Sequence, residues 1–143
     1  MRQRGVALLL ADFRAWAAAR VGVRAVALVG SWARGAAGED SDVDFVVLSE
    51  ELPDGPQSGW FDGLPIASAI TTRGRGALTE WRWKTSEGFE IDTCVGSTSW
   101  AATQPIDPGT RRVLTGGLQR IYDTERLLLE LQNANIPAAS VPD

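Results

Sequence analysis

A chain of 143 residues, 44% apolar and 22% charged, can bury one core and has the composition of an ordinary globular domain. Its net charge of −4 argues against a long DNA or RNA substrate, which a basic stripe would grip. There is no histidine and one cysteine, Cys94; this excludes histidine bases and ligands, an internal disulfide and a cysteine zinc site, and leaves carboxylates, hydroxyls, Lys/Arg or a bound metal for chemistry.

A first helix is predicted from about Val6 to Arg20, because Val6, Leu9, Leu10, Phe13, Trp16 and Ala17 recur at the spacing of one apolar face. Its apolar run is short and broken by Asp12 and Arg14, so it reads neither as a signal peptide nor as a membrane span, and a cytoplasmic location is expected. Arg24 to Val29 reads as a buried strand ending at Gly30-Ser31, with helical turns over Trp32 to Ala36. A second strand, Asp42 to Leu48, places Val43, Phe45 and Val47 on one face and Asp42, Asp44, Val46 and Leu48 on the other.

Ser49 to Gly63, rich in Pro, Gly and acid, reads as a surface loop. Leu64 to Gly76 is ambiguous, and Arg73-Gly74-Arg75-Gly76 within it reads as a solvated basic loop. Leu78 to Thr85 and Phe89 to Val95 form a predicted hairpin about Ser86-Glu87-Gly88. Trp81 and Trp83 share one of its faces and are assigned to the core; Arg82 and Lys84 take the other. Further on come a short helix near Ser99, a helix over Pro108 to Thr115 and a strand over Leu118 to Tyr122. A last helix runs from Thr124, its expected N-cap, to Asn133. Residues 1–136 are thus read as a single domain of the α/β (α+β) class, a mixed β-sheet with helices packed on it, and 137–143 as a flexible tail.

The chemistry concentrates between Gly30 and Phe45. Asp42 and Asp44 stand two apart on a strand, so their carboxylates share a face about 7 Å apart. Repulsion between them becomes a ligand set once a divalent cation sits there, and two such ions about 4 Å apart can clamp the attacking and leaving oxygens of a phosphoryl transfer. Asp92, sharing a strand face with Glu90 and Cys94, can complete one ion site and accept a proton from an attacking hydroxyl, if its strand lies beside that of Asp42 and Asp44. Gly30-Ser31, opening a turn at a strand end, suits a phosphate through backbone N–H groups and the hydroxyl, and Arg34 is near enough in sequence to neutralise triphosphate charge. Asp40, Asp42, Asp44 and Glu51 also fall at EF-hand spacing, but Phe45 stands where that loop needs glycine. Cys94 reads as a small buried residue rather than a reactive thiol.

Gly30-Ser31, ten residues, then Asp42-Val43-Asp44 resembles the signature of the minimal nucleotidyltransferases of the DNA polymerase β superfamily. The likeness continues through Glu87 to Asp92, Ser99-Trp100-Ala101 and Pro105 to Leu114. It implies a polymerase β-type fold and an enzyme that moves a nucleoside monophosphate, AMP above all, from an NTP to a hydroxyl, releasing pyrophosphate. Asp42 and Asp44 would bind two Mg2+ ions, with Mn2+ as the substitute. Asp92 would bind one and help deprotonate the acceptor, while Gly30 and Ser31 hold the triphosphate. The acceptor would be a small molecule or a partner protein, such as a HEPN-type toxin, and the acceptor site could be shared with a second subunit in a homodimer or hetero-complex. The alternative is a non-catalytic nucleotide-binding or antitoxin-like module.

Overall fold

A computed structural model describes residues 2–38, 41–55 and 59–135. The expected tail at 137–143 and Asp40 of the EF-hand spacing lie outside these. Among these residues three helices, one 3-10 turn and six strands follow the order α1 (Arg2–Ala18), β1 (Val23–Val29), β2 (Val43–Ser49), β3 (Thr71–Arg75), β4 (Leu78–Lys84), β5 (Glu90–Gly96), the 3-10 turn (Thr98–Ala101), α2 (Pro108–Gly116), β6 (Leu118–Asp123) and α3 (Leu127–Ala134). The strands form one mixed sheet in the order β3-β4-β5-β2-β1-β6. The β2–β5 pair runs parallel; every other neighbouring pair is antiparallel.

Helices cover both faces of the central strands, which is why β1 and β2 read as nearly continuous apolar runs. On one face Val26, Leu28, Val43, Phe45 and Val47 meet Val6, Leu9, Phe13 and Trp16 of α1. Phe13 stacks on Phe45 with ring centroids 3.9 Å apart, and Trp81 and Trp83 join this core as expected. On the other face Ala25, Ala27, Val46 and Leu48 meet Trp100, Ile106, Leu128 and Leu131. The alternation predicted for β2 therefore divides two cores rather than a core from solvent.

Three expectations are corrected. Arg73-Gly74-Arg75 is not a solvated loop but part of the edge strand β3, paired with β4. Gly76, at φ 64°, closes this tight hairpin, a turn that favours a residue tolerating positive φ. The 49–63 segment is not all surface: Ser49 ends β2, and Trp60 and Phe61 pack against Trp16. Thr124 does not cap α3; its hydroxyl donates to the Arg24 carbonyl. Asp123 takes the cap instead, accepting from the N–H groups of Leu128 and Leu129. Among the described residues no helix is long and apolar enough to cross a membrane.

Candidate active site

The strand register brings the candidate residues together. Leu118, Val29, Asp44, Asp92, Arg82 and Thr71 are successive partners in one row across all six strands. The row is apolar on β6 and β1 and turns charged at β2. Asp44 and Asp92 are direct partners on the parallel pair β2–β5, and Asp42 precedes β2 on the same side. The condition attached to Asp92 from the sequence, that its strand should lie beside that of Asp42 and Asp44, holds.

Gly30 follows Val29, the partner of Asp44. It sits at φ 75°, and a Cβ there would lie 2.9 Å from Asp44 Oδ2. Both the left-handed backbone and the close carboxylate call for glycine. The Gly30 N–H is already bonded to the Gly117 carbonyl (3.2 Å), so it is not one of the donors expected for phosphate. Its carbonyl accepts from Ala33 and Arg34, forming the expected helical turn. The Ser31 N–H and hydroxyl bond to no described residue. Arg34 Nη1 donates to the Gly116 carbonyl (2.9 Å), and Gln119 donates to the Ala33 carbonyl. The turn is thus braced by the link between α2 and β6. Gly117 permits the approach, since a Cβ there would meet Arg34 Cβ at 3.1 Å.

Charge is concentrated here. The Asp44 carboxyl is pushed up from 3.8 to about 7, first by burial, then by repulsion from Asp92 and Asp42 and a side-chain hydrogen bond with Asp92. Asp42 is also raised, chiefly by desolvation, with Arg82 opposing and Asp92 and Glu90 adding to the rise. Glu90, which shares the strand face of Asp92, is exposed and faces Lys84 at 3.7 Å. Cys94 is likewise pushed up, to about 11, mainly by burial, which agrees with an inert thiol.

Arg82 was not singled out from the sequence. Its Nε donates to Asp92 Oδ1 (2.6 Å) and its Nη2 to Asp92 Oδ2 (3.0 Å) and Asp42 Oδ2 (2.8 Å). Counting outward from the Ser86–Gly88 turn pairs residues 82 and 92, so the contact was latent in the hairpin. As placed, no three Asp, Glu or Cys side chains among the described residues converge closely enough to hold an ion; Arg82 draws Asp92 and Asp42 onto itself. The donor chemistry nevertheless fits a hard divalent cation, being entirely carboxylate oxygen. Asp44 receives none of these guanidinium bonds and is pushed up to about 7, so it is the group such an ion would relieve.

Asp44 and Asp92 also open onto a cavity of about 510 Å3 between the sheet and α2, reaching Glu80, Trp100 and Arg112. That is room for a small polar molecule. Glu80 on its floor is buried and paired with Arg73 and Arg75 at 3.1 Å. Asp107 at its rim caps α2, accepting from the Gly109 and Thr110 N–H groups.

Among protein families, the one described as "Nucleotidyltransferase domain" matches residues 12–108, a span that contains Gly30, Ser31, Arg34, Asp42, Asp44 and Asp92. No curated protein matches the chain.

Proposed function

Since the chain belongs to the nucleotidyltransferase domain family, we propose that it transfers a nucleoside monophosphate, AMP from ATP in the first instance, to the hydroxyl of an acceptor. The observation that carries this reading is the direct pairing of Asp44 with Asp92 across parallel strands, with Gly30 against Asp44. Two carboxylates forced together beside an open turn are costly for folding alone and useful for holding a metal–triphosphate.

In this reading Asp42, Asp44 and Asp92 hold divalent cations, Mg2+ or Mn2+, which supply Lewis-acid stabilisation of the reacting phosphate when bound. Ser31 offers its N–H and hydroxyl to the triphosphate, and Arg34, on the same turn, lends positive charge. The acceptor oxygen bonds to the α-phosphorus, the bond to the bridging oxygen breaks, and its electron pair leaves with pyrophosphate. Asp92 takes the hydroxyl proton. The cavity beside Asp44 and Asp92 supports a small polar acceptor. A partner protein such as a HEPN-type toxin, or a site completed by a second subunit, would present its hydroxyl at the same opening. A cytoplasmic location, where NTPs are abundant, goes with this reading.

One observation favours a second reading, a non-catalytic nucleotide-binding or antitoxin-like module: Arg82 already neutralises Asp92 and Asp42. Incubation with α-labelled ATP and Mg2+, over a panel of amino-sugar acceptors and a HEPN-type ribonuclease, separates the two. Label transfer with pyrophosphate release is expected. Calorimetric binding of Mg-ATP without pyrophosphate release under every condition would leave only the module.

A further inference from the structure

We infer that Arg82 is a positioning residue for the carboxylates at this site, serving as their counter-ion before a metal loads and yielding Asp42 to the ion when it does. The inference rests on the metal-binding reading above. Its geometric basis is the two-pronged contact with Asp92 and the third bond to Asp42 Oδ2, which together engage both oxygens of Asp92. Asp44 receives no such bond from Arg82, whose three bonds all go to Asp92 and Asp42.

The other cations on β3 and β4 are committed elsewhere. Arg73 and Arg75 hold Glu80, and Lys84 faces Glu90. Exposure decides which partner can move. The Arg82 side chain is 47% exposed and Asp42 34%, whereas Asp92 is 12%. Arg82 and Asp42 can therefore separate into solvent at little cost, while Asp92 stays fixed on its strand. A long Arg stem that keeps its bonds to Asp92 while releasing Asp42 would leave the register row intact.

The test compares the native protein with Arg82→Gln, Arg82→Lys and Arg73→Gln. The last removes one positive charge from the neighbouring edge strand β3 without touching Asp42 or Asp92. Two quantities are read: Mn2+ affinity by calorimetry, and the melting temperature in EDTA. Arg82→Gln should bind Mn2+ about tenfold more tightly, because a competing unit charge in contact with the ligands is gone. Its metal-free form should melt below the native protein. Arg82→Lys, which keeps the charge but not the planar fork, should fall between, and it carries the test if Arg82→Gln does not fold. Arg73→Gln should stay within about twofold of native. Unchanged or weaker Mn2+ binding in both Arg82 variants overturns the inference. So does an equal gain in Arg73→Gln, which would show a general charge effect. Failure of the native protein and every variant to bind Mn2+ would overturn the metal-binding reading itself, and this inference with it.

Discussion

Replacing Asp44 by asparagine separates the cost of the carboxylate cluster from its use. In the folded protein the Asp44 carboxyl holds its proton up to about pH 7, whereas its ordinary value is 3.8. Between those values the folded state binds more protons than the unfolded state. The stability linked to this proton is therefore fully present below about pH 4 and is lost as pH rises through about 7. At about 1.4 kcal/mol per pH unit, the full displacement corresponds to an upper bound of about 4 kcal/mol. Solvent reaching this half-buried side chain reduces that to about 2 kcal/mol. For a chain of this length such a change moves the melting temperature by roughly 6 °C. The substituted amide carries no titrating proton and keeps the shape, so most of the slope should vanish, leaving the smaller contribution of Asp42, which is also raised by burial. Melting curves in EDTA from pH 4 to 8 should show the native protein losing stability and Asp44→Asn nearly level. The variant should be the more stable of the two at pH 8. Adding Mg2+ at pH 8 should restore the native protein and leave the variant almost unmoved. Parallel pH profiles for the two proteins would refute the argument that burial and neighbouring carboxylates, rather than fold alone, set the energy of this site.

Gly30→Ala should abolish nucleotidyl transfer and lower stability by about 1–3 kcal/mol, from positive φ and a methyl pressed on Asp44; chemical denaturation and the label-transfer assay read the two effects. Asp123→Ala should cost about 2 kcal/mol, since a carboxylate bonded to the Leu128 and Leu129 N–H groups and to Arg120 is lost. Its Mn2+ affinity should stay native, and a changed affinity would contradict the assignment of this residue to the α3 cap. The Cys94 thiol, raised to about 11, should react with a disulfide reagent at pH 8 far more slowly than a free thiol, and at a normal rate once urea unfolds the chain.

Much of this architecture was legible in local pattern. The spacing of Val6, Leu9, Phe13 and Trp16 located α1, the alternation of Val43, Phe45 and Val47 located β2, and Ser86-Glu87-Gly88 located the β4–β5 hairpin, because these signals come from periods of 3.6 and 2 that need no distant partner. The edge strand β3 escaped because its five residues are all exposed and show no apolar alternation; pairing with β4 makes it a strand. Thr124 was a sound local cap, overruled by Asp123, whose carboxylate reaches the α3 N–H groups across a left-handed Arg126.

The sequence by itself determined the types and spacings of the groups that could act: two aspartates two apart in a predicted strand, a glycine-serine turn ten residues earlier, a third aspartate in a hairpin, and no histidine to compete with them. Backbone alternation settles which of these share a strand face, and composition settles which chemistries are closed. Only the tertiary structure decided that β5 lies parallel to β2, so that Asp92 faces Asp44, and that Arg82, set opposite Asp92 by the hairpin, also reaches Asp42. The physical reason is that strand order follows from burying both faces of β1 and β2 beneath α1 on one side and α2 and α3 on the other. That packing is a sum over many residues far from the site, and no short motif encodes it.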